Sequence, residues 1–185
     1  MTRKKSKSEA VEWFKALGLA VIIAIVIKSF FFTNYIVEGK SMMPTLKDGN
    51  RLIVNKIDYD ISQPDRFDVV IFHHNDKEDY VKRVIGLPGD TIRYENDVLY
   101  VNGKAVKEPY LKPYKEQIKS GHLTEDFNLK DYTDHKKVPK GKLFVLGDNR
   151  RVSSDSRVFG FVDMDQVVGK VNLRYWPIRQ FEFMH

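Results

Sequence analysis

Two side chains in this 185-residue chain have the chemistry of a nucleophile and a base, and each needs the other. Ser41 lies in Lys40-Ser41-Met42-Met43-Pro44-Thr45-Leu46, where a serine ahead of a proline-containing turn is ordinarily turn chemistry. To attack a carbonyl, its hydroxyl needs a base within hydrogen-bond reach and donors for the oxyanion that forms. Histidine is the usual base, and His73, His74, His122, His135 and His185 are available. His73 and His74 are adjacent after the apolar run Val69 to Phe72, so at most one faces any site; surface or strand-end histidines are the plainer reading. Lysine serves instead when its amine is neutral, which takes burial among apolar groups and no paired carboxylate. Lys82 sits mid-run in Tyr80-Val81-Lys82-Arg83-Val84-Ile85, where alternation puts Tyr80, Lys82 and Val84 on one face and Val81, Arg83 and Ile85 on the other. Lowering its pKa by about three units costs roughly 4 kcal/mol, and the competing reading is an edge-strand lysine that blunts pairing.

A third cluster, Gly147-Asp148-Asn149-Arg150-Arg151-Val152-Ser153-Ser154-Asp155-Ser156-Arg157, follows the apolar run Leu143 to Leu146. It is either a solvated loop or a set of hydrogen-bonding groups that orients a lysine and braces a nucleophile. No spacing among the histidines and acids resembles a metal site. The chain has no cysteine, which removes thiol catalysis, thiolate metal sites and disulfides together.

The elements that must position these groups begin with an apolar run from Trp13 to Phe32. Twenty residues at roughly 1.5 Å rise give roughly 30 Å, the thickness of a bilayer's hydrocarbon core, and Lys15 and Lys28, near its ends, can snorkel toward headgroups. Arg3, Lys4, Lys5, Lys7 and Lys15 against Glu9 and Glu12 place the N-terminus in the cytoplasm and everything after Phe32 outside it. A cleaved secretory signal is the alternative, but no small-x-small cleavage site follows and the run continues into Phe30, Phe31 and Phe32. The expectation is a cytoplasmic basic tail (1–12), a single transmembrane helix (13–32) and an extracytoplasmic domain (33–185) at the cell membrane. The tail and Lys28 account for +4 of the formal net charge of +6, so the basic balance is topogenic and does not suggest nucleic acid.

About 150 residues beyond the anchor fit one compact domain. Its apolar residues come in short β-branched and aromatic runs: Leu52 to Val54, Val69 to Phe72, Val81 to Ile85, Val98 to Val101, Leu143 to Leu146 and Val167 to Leu173. Turns at Glu95-Asn96-Asp97 and Asn102-Gly103 bracket one of them, and Pro88-Gly89-Asp90 closes another. The fold class is mostly β, an antiparallel sheet behind an N-terminal helix. Residues 107–139, polar and interrupted by Pro109, Pro113 and Pro139, read as an inserted loop or small subdomain.

Taken in order, these elements resemble the bacterial type I signal peptidases, especially the short Gram-positive forms. The resemblance is carried by the anchor, Ser41-Met42-Met43-Pro44-Thr45-Leu46, Arg66-Phe67-Asp68-Val69-Val70-Ile71-Phe72, Tyr80 through Asp90, and Gly147-Asp148-Asn149-Arg150 with Ser153, Asp155, Ser156 and Arg157. It implies an antiparallel β architecture and a Ser-Lys endopeptidase that removes signal peptides from exported preproteins, cutting after small residues. Ser41 is then the nucleophile and neutral Lys82 the general base, with Ser153 orienting the amine through a hydrogen bond. Asp155 and Arg157 form a supporting ion pair, and Asp148 and Arg150 belong to the scaffold. Val37, Met42, Leu46, Tyr80 and Val81 are implied to line shallow substrate pockets, although a plain core role for Val37 and Leu46 is also open. Gly39 stands where Gram-negative relatives carry a hydroxyl residue that helps bind the oxyanion, so the second donor is unassigned. The implied partners are signal peptides and membrane lipid, with no cofactor, no metal and a monomeric chain. Two other readings stay open: a self-cleaving repressor-type protease, which shares the dyad but carries a DNA-binding module instead of an anchor, and a non-catalytic membrane-anchored binding protein on the same fold.

Overall fold

A computed structural model describes residues 5–56 and 63–184. Of the tail and anchor discussed above, Arg3 and Lys4 and the side chains of Lys5, Lys7, Glu9, Lys28 and Phe30 lie outside the described residues, as does His185. Helix α1 (Lys5–Phe31) opens the chain. It starts well before the apolar run and stops one residue short of its expected end, because Phe32 already belongs to a strand. The residues from Phe32 to Ile36 form β1, which lies antiparallel to β2 (Arg51–Asn55) with Phe32 opposite Asn55. Among the described residues, no helix is long and apolar enough to cross a membrane.

The remaining strands are β3 (Val69–Asn75), β4 (Glu78–Gly86), β5 (Ile92–Glu95), β6 (Val98–Val101), β7 (Lys104–Val106), β8 (Phe127–Asn128), β9 (Lys142–Leu146), β10 (Val162–Asp163), β11 (Val167–Trp176) and β12 (Glu182–Phe183). Among the described residues they form a large sheet in the order β1-β2-β11-β3-β4-β9-β10, with β12 added to β11, and a small sheet in the order β7-β6-β5-β8. Every pairing is antiparallel. The six runs expected from composition are all strands. The Asn96-Asp97 and Asn102-Gly103 turns close the β5–β6 and β6–β7 hairpins with positive φ at both central residues, the geometry that matches strand twist across a two-residue loop.

Residues 107–139 are more than a loop. They supply β8, which pairs with β5, and they bury Leu111, Leu123, Phe127, Leu129 and Val138, most of which join the core cluster beneath the small sheet with Ile85, Tyr94, Phe144 and Leu146.

The long strand β11 bends the large sheet. Its ladders shift register between Val167 and Gly169 and again between Val171 and Leu173, and such irregularities bend a strand and increase its twist. At Gly169 a Cβ would lie 2.2 Å from the carbonyl oxygen of Asn55, so only glycine permits the approach of β2 at that bend. The result is a sheet that coils far enough for its edge strand β1 to face β4, four places away in strand order.

Candidate active site

The facing edges of β1 and β4 define a slot. β1 has β2 on one side only, and β4 pairs with β9 only through Arg83, Val84 and Gly86, so the β4 segment from Glu78 to Lys82 has a free edge. The space between is a cleft of about 870 Å³ whose lining includes Ser41, Lys82, Val37, Leu52, Ile71, Tyr80 and Val81.

Ser41 sits on the loop joining β1 to β2. The loop is closed at its base by Val37 N–H to Asn50 O and Gly49 N–H to Val37 O, both 2.8 Å, and one turn forms where Leu46 N–H donates to Met42 O at 2.9 Å. That turn drives Met42 and Leu46 into the core beneath the loop, where they are 1% and 0% exposed among Leu52, Val54 and Val69. They hold the Ser41 loop from below and do not line the cleft, which corrects the pocket role expected of them. Val37, Tyr80 and Val81 do line it, and Val37 is also part of the core.

Lys82 is 4% exposed. Its Nζ lies 3.0 Å from Ser41 Oγ and donates to the carbonyl oxygen of Val81 at 3.0 Å. Burial lowers its pKa from 10.5 to about 8, with Asp155 pulling weakly the other way. The neutral amine is therefore accessible near neutral pH, and in that form Ser41 O–H donates to its lone pair. Neither strand-end histidine competes: His73 Nδ1 is bonded to Asp79 at 2.6 Å and His74 stacks on Tyr80 with ring centroids 4.1 Å apart. Among the described residues no cluster of His, Asp and Glu has the makings of a metal site.

The segment after β9 grips this arrangement from the other side. Asn149 N–H donates to the carbonyl oxygen of Ser41 at 2.9 Å, and Asn149 Nδ2 to that of Lys40 at 3.0 Å. Asp148, fully buried, takes a bidentate pair of bonds from Arg83 at 2.9 and 2.7 Å and one from Thr45 Oγ1. Asp155 takes a second bidentate pair from Arg157, both bonds 2.8 Å, and accepts the N–H of Gly147 at 3.0 Å; Arg157 also donates to Arg150 O. Arg150, buried throughout, donates to Glu108, Tyr94 Oη and Thr124 Oγ1, tying the small sheet to this segment. Alternation along a strand does not reveal these grips; the run of side-chain acceptors and donors directly after an apolar strand was their one visible sign.

Gly147 is the tightest point. A Cβ there would meet Ser153 Oγ at 2.1 Å and Ser41 O at 2.5 Å. Ser153 Oγ rests against this glycine, 9% exposed as a residue and without a hydrogen-bond partner among the described residues. The expected bond from Ser153 to the Lys82 amine is therefore not formed in this arrangement, in which Lys82 is bonded to Ser41 and Val81.

At the far end of the slot Tyr35 on β1 donates its hydroxyl to Asp79 on β4 at 2.8 Å. Burial, together with Asp79, pushes the Tyr35 hydroxyl up to about 12, so it stays a donor. This second bridge across the slot was not anticipated from the sequence, since its partners are 44 residues apart.

Residues 10–176 match the family described as signal peptidase, peptidase S26. A signal peptidase I of Bacillus caldolyticus is 58% identical over 184 residues, 99% of each chain, and a signal peptidase IB of Staphylococcus aureus (strain MRSA252) is 46% identical over 181 residues, 96% of this chain and 95% of that protein. A crystal structure of a signal peptidase I from Enterococcus faecalis V583 superposes with a TM-score of 0.57 at 43% identity, covering 60% of this chain and 97% of the other.

Proposed function

Since the chain belongs to the signal peptidase family, peptidase S26, we propose that it is a membrane-anchored serine endopeptidase that removes signal peptides from exported preproteins with Ser41 as nucleophile and Lys82 as general base. The observation that carries the reading is the 3.0 Å approach of Lys82 Nζ to Ser41 Oγ by an amine that burial brings to about 8. Lys82 takes the hydroxyl proton as Oγ bonds to the scissile carbonyl carbon. The tetrahedral oxyanion is met by the backbone N–H of Ser41, and Gly39 contributes no side-chain donor. Collapse breaks the C–N bond, protonated Lys82 gives its proton to the departing amine, and water activated by the neutral lysine hydrolyses the ester to free the signal peptide's carboxylate and Ser41.

The substrate enters as a strand, pairing with the free edges of β1 and β4. Alternate side chains, the first and third before the cut, then face a floor made by Val37, Ile71 and Val81, and small residues such as alanine suit it. Asp155 with Arg157, and Asp148 with Arg83, hold the segment that carries Gly147 and Asn149, and Ser153 fills the space behind the dyad.

The anchor reading is supported by side chains that nothing covers. Val11, Trp13, Phe14, Leu17, Leu19 and the residues Val21 to Ile23 and Ile25 of α1 are exposed, and a helix apolar all round needs lipid or a protein core. Anchoring from the cytoplasmic side through the apolar part of α1, from Trp13 to Phe31, places the domain on the outer face, beside substrates confined to the same surface. The enzyme works there as a monomer, without a cofactor and without nucleic acid.

Mass spectrometry of an exported preprotein incubated in detergent with this chain, and with its Ser41→Ala and Lys82→Ala forms, tests the reading. A single cut after a small-x-small site, abolished in both variants, is expected. Cleavage that survives Lys82→Ala would assign the base elsewhere, and no cleavage by any form would leave a membrane-anchored binding protein.

A further inference from the structure

A peptide laid in the slot presents alternate side chains to its floor, and that floor changes character along its length. Beneath the dyad it is apolar, with Val37, Ile71 and Val81. At the other end it is polar. The ring of Tyr35 packs on the same apolar cluster, its hydroxyl reaches Asp79 Oδ2 at 2.8 Å, and Asp79 Oδ1 is bonded to His73 Nδ1 at 2.6 Å.

Asp79 lies three residues before Lys82 on β4, about 10 Å at roughly 3.3 Å per residue. A peptide strand beside β4 advances at the same rate. With the residue before the cut at Ser41 and Lys82, the bridge therefore stands opposite the fourth residue before the cut, between the third and the fifth. The third and the fifth share the floor-facing direction with the first; the third lies over the apolar floor, so the fifth is the floor-facing residue that meets the bridge.

The bridge offers acceptors and no spare donor. Tyr35 has committed its one proton to Asp79, and the carboxylate keeps lone pairs beyond the two bonds it makes. An incoming ammonium, guanidinium or amide N–H finds partners there; an incoming carboxylate meets a like charge and no donor. Apart from Lys82 at the opposite end, the other charged residues lining the cleft, Glu38 and Glu78 against Lys40 and Lys77, balance in number, which leaves Asp79 and its His73 partner to set the character of this end.

We propose that the Tyr35–Asp79 bridge is a specificity subsite of the slot, selecting at the fifth residue before the cut for a hydrogen-bond-donating or positively charged side chain and against a carboxylate. The assignment rests on the strand-addition and dyad reading above.

The test uses four peptides identical except for Lys, Gln, Ala or Glu at the fifth position before an Ala-x-Ala site, cleaved by the full chain in detergent, with kcat/KM compared within each enzyme. The Lys peptide is expected to be cut roughly tenfold better than the Glu peptide, with Gln and Ala between, the size expected of one charge-assisted hydrogen bond. In Asp79→Asn the ratio is expected to fall toward one. Should that variant not fold, Asp79→Ser, a smaller residue at the same position, gives the same readout. All four peptides cut after alanine at equal rates would overturn the subsite and leave the dyad standing, and a tenfold ratio unchanged in Asp79→Asn would overturn the assignment to Asp79. Cleavage that survives Ser41→Ala, or none of any peptide, would instead overturn the underlying reading and the subsite with it.

Discussion

Replacing Lys82 by methionine separates the two consequences of burying a lysine: a base at neutral pH and a less stable fold. A displacement from 10.5 to about 8 corresponds to about 3 kcal/mol, at roughly 1.4 kcal/mol per pH unit. The folded chain binds this proton less tightly than the unfolded one. Below pH 8 both states are protonated and the fold carries the whole cost; between 8 and 10.5 the unfolded chain holds more protons and stability rises with pH; above 10.5 the cost is gone. Methionine has similar length and no charge, so at pH 7 it removes that cost. It also removes the bonds to the carbonyl of Val81 and to Ser41 Oγ, which together offset about 1 kcal/mol. Lys82→Met is therefore expected to be about 2 kcal/mol more stable than wild type at pH 7, or roughly 4–8 °C in Tm, an advantage that disappears by about pH 11. Activity runs the other way. Wild-type kcat/KM should rise about tenfold per pH unit up to about 8 and then level off, and the variant should be inactive. Thermal unfolding in detergent from pH 6 to 11, beside peptide cleavage over the same range, measures both. A Lys82→Met form less stable than wild type at pH 7, or a wild-type rate flat from pH 6 to 9, would refute the reasoning.

Three further outcomes follow from the segment behind the dyad. Gly147→Ala places a Cβ 2.1 Å from Ser153 Oγ and 2.5 Å from Ser41 O; relief by moving the Ser41 loop should lower kcat about a hundredfold and stability by about 1–3 kcal/mol, and a wild-type kcat would contradict this. Arg157→Met leaves Asp155 buried without its cation, so urea unfolding should show a loss of about 3–5 kcal/mol, and the freed carboxylate should raise the Lys82 pKa and move the rate midpoint to higher pH; an unmoved midpoint would count against the electrostatic account. Arg150→Met strands the buried carboxylate of Glu108 and should cost a similar amount by the same measurement, whereas a change under about 1 kcal/mol would show that the link between the sheets contributes little.

What was legible in the chain follows the range of the interactions involved. Lys82 stood out because strand alternation is local and its neighbours Val81, Val84 and Ile85 are apolar. Ser41 gains meaning only from a lysine 41 residues away, and motif order supplies that pairing where geometry is not visible. Strand β1 was hidden because Phe30 to Phe32 prolong the apolar run, and hydropathy does not mark the point at which a helix gives way to a strand. Met42 and Leu46 invite a reading as pocket walls because they flank Ser41; in a loop, proximity in sequence says little about direction, and the turn between them points both into the core. The Tyr35–Asp79 bridge and the grip of Asn149 on Ser41 depend on the coil of the sheet, which arises from bulges in β11 that no periodicity announces.

The same coil explains how the Lys82 amine keeps a lowered pKa in a neighbourhood rich in acids. Asp148 is bonded by Arg83 and Thr45, and Asp155 by Arg157 and the N–H of Gly147. Each carboxylate is already matched by a guanidinium, so neither forms an ion pair with Lys82, and Asp155 opposes burial only as the smaller influence. A lone buried lysine would be forced toward neutrality by burial anywhere in the core; here it is also kept beside a hydroxyl whose loop is fixed by Asn149 and Thr45. Arginine suits the matching role because its charge is permanent and its fork takes both carboxylate oxygens. The paired arginines thus hold the backbone around Gly147 and take up the carboxylates that would otherwise raise the lysine's pKa, so that the scaffold and the Lys82 environment depend on the same bonds.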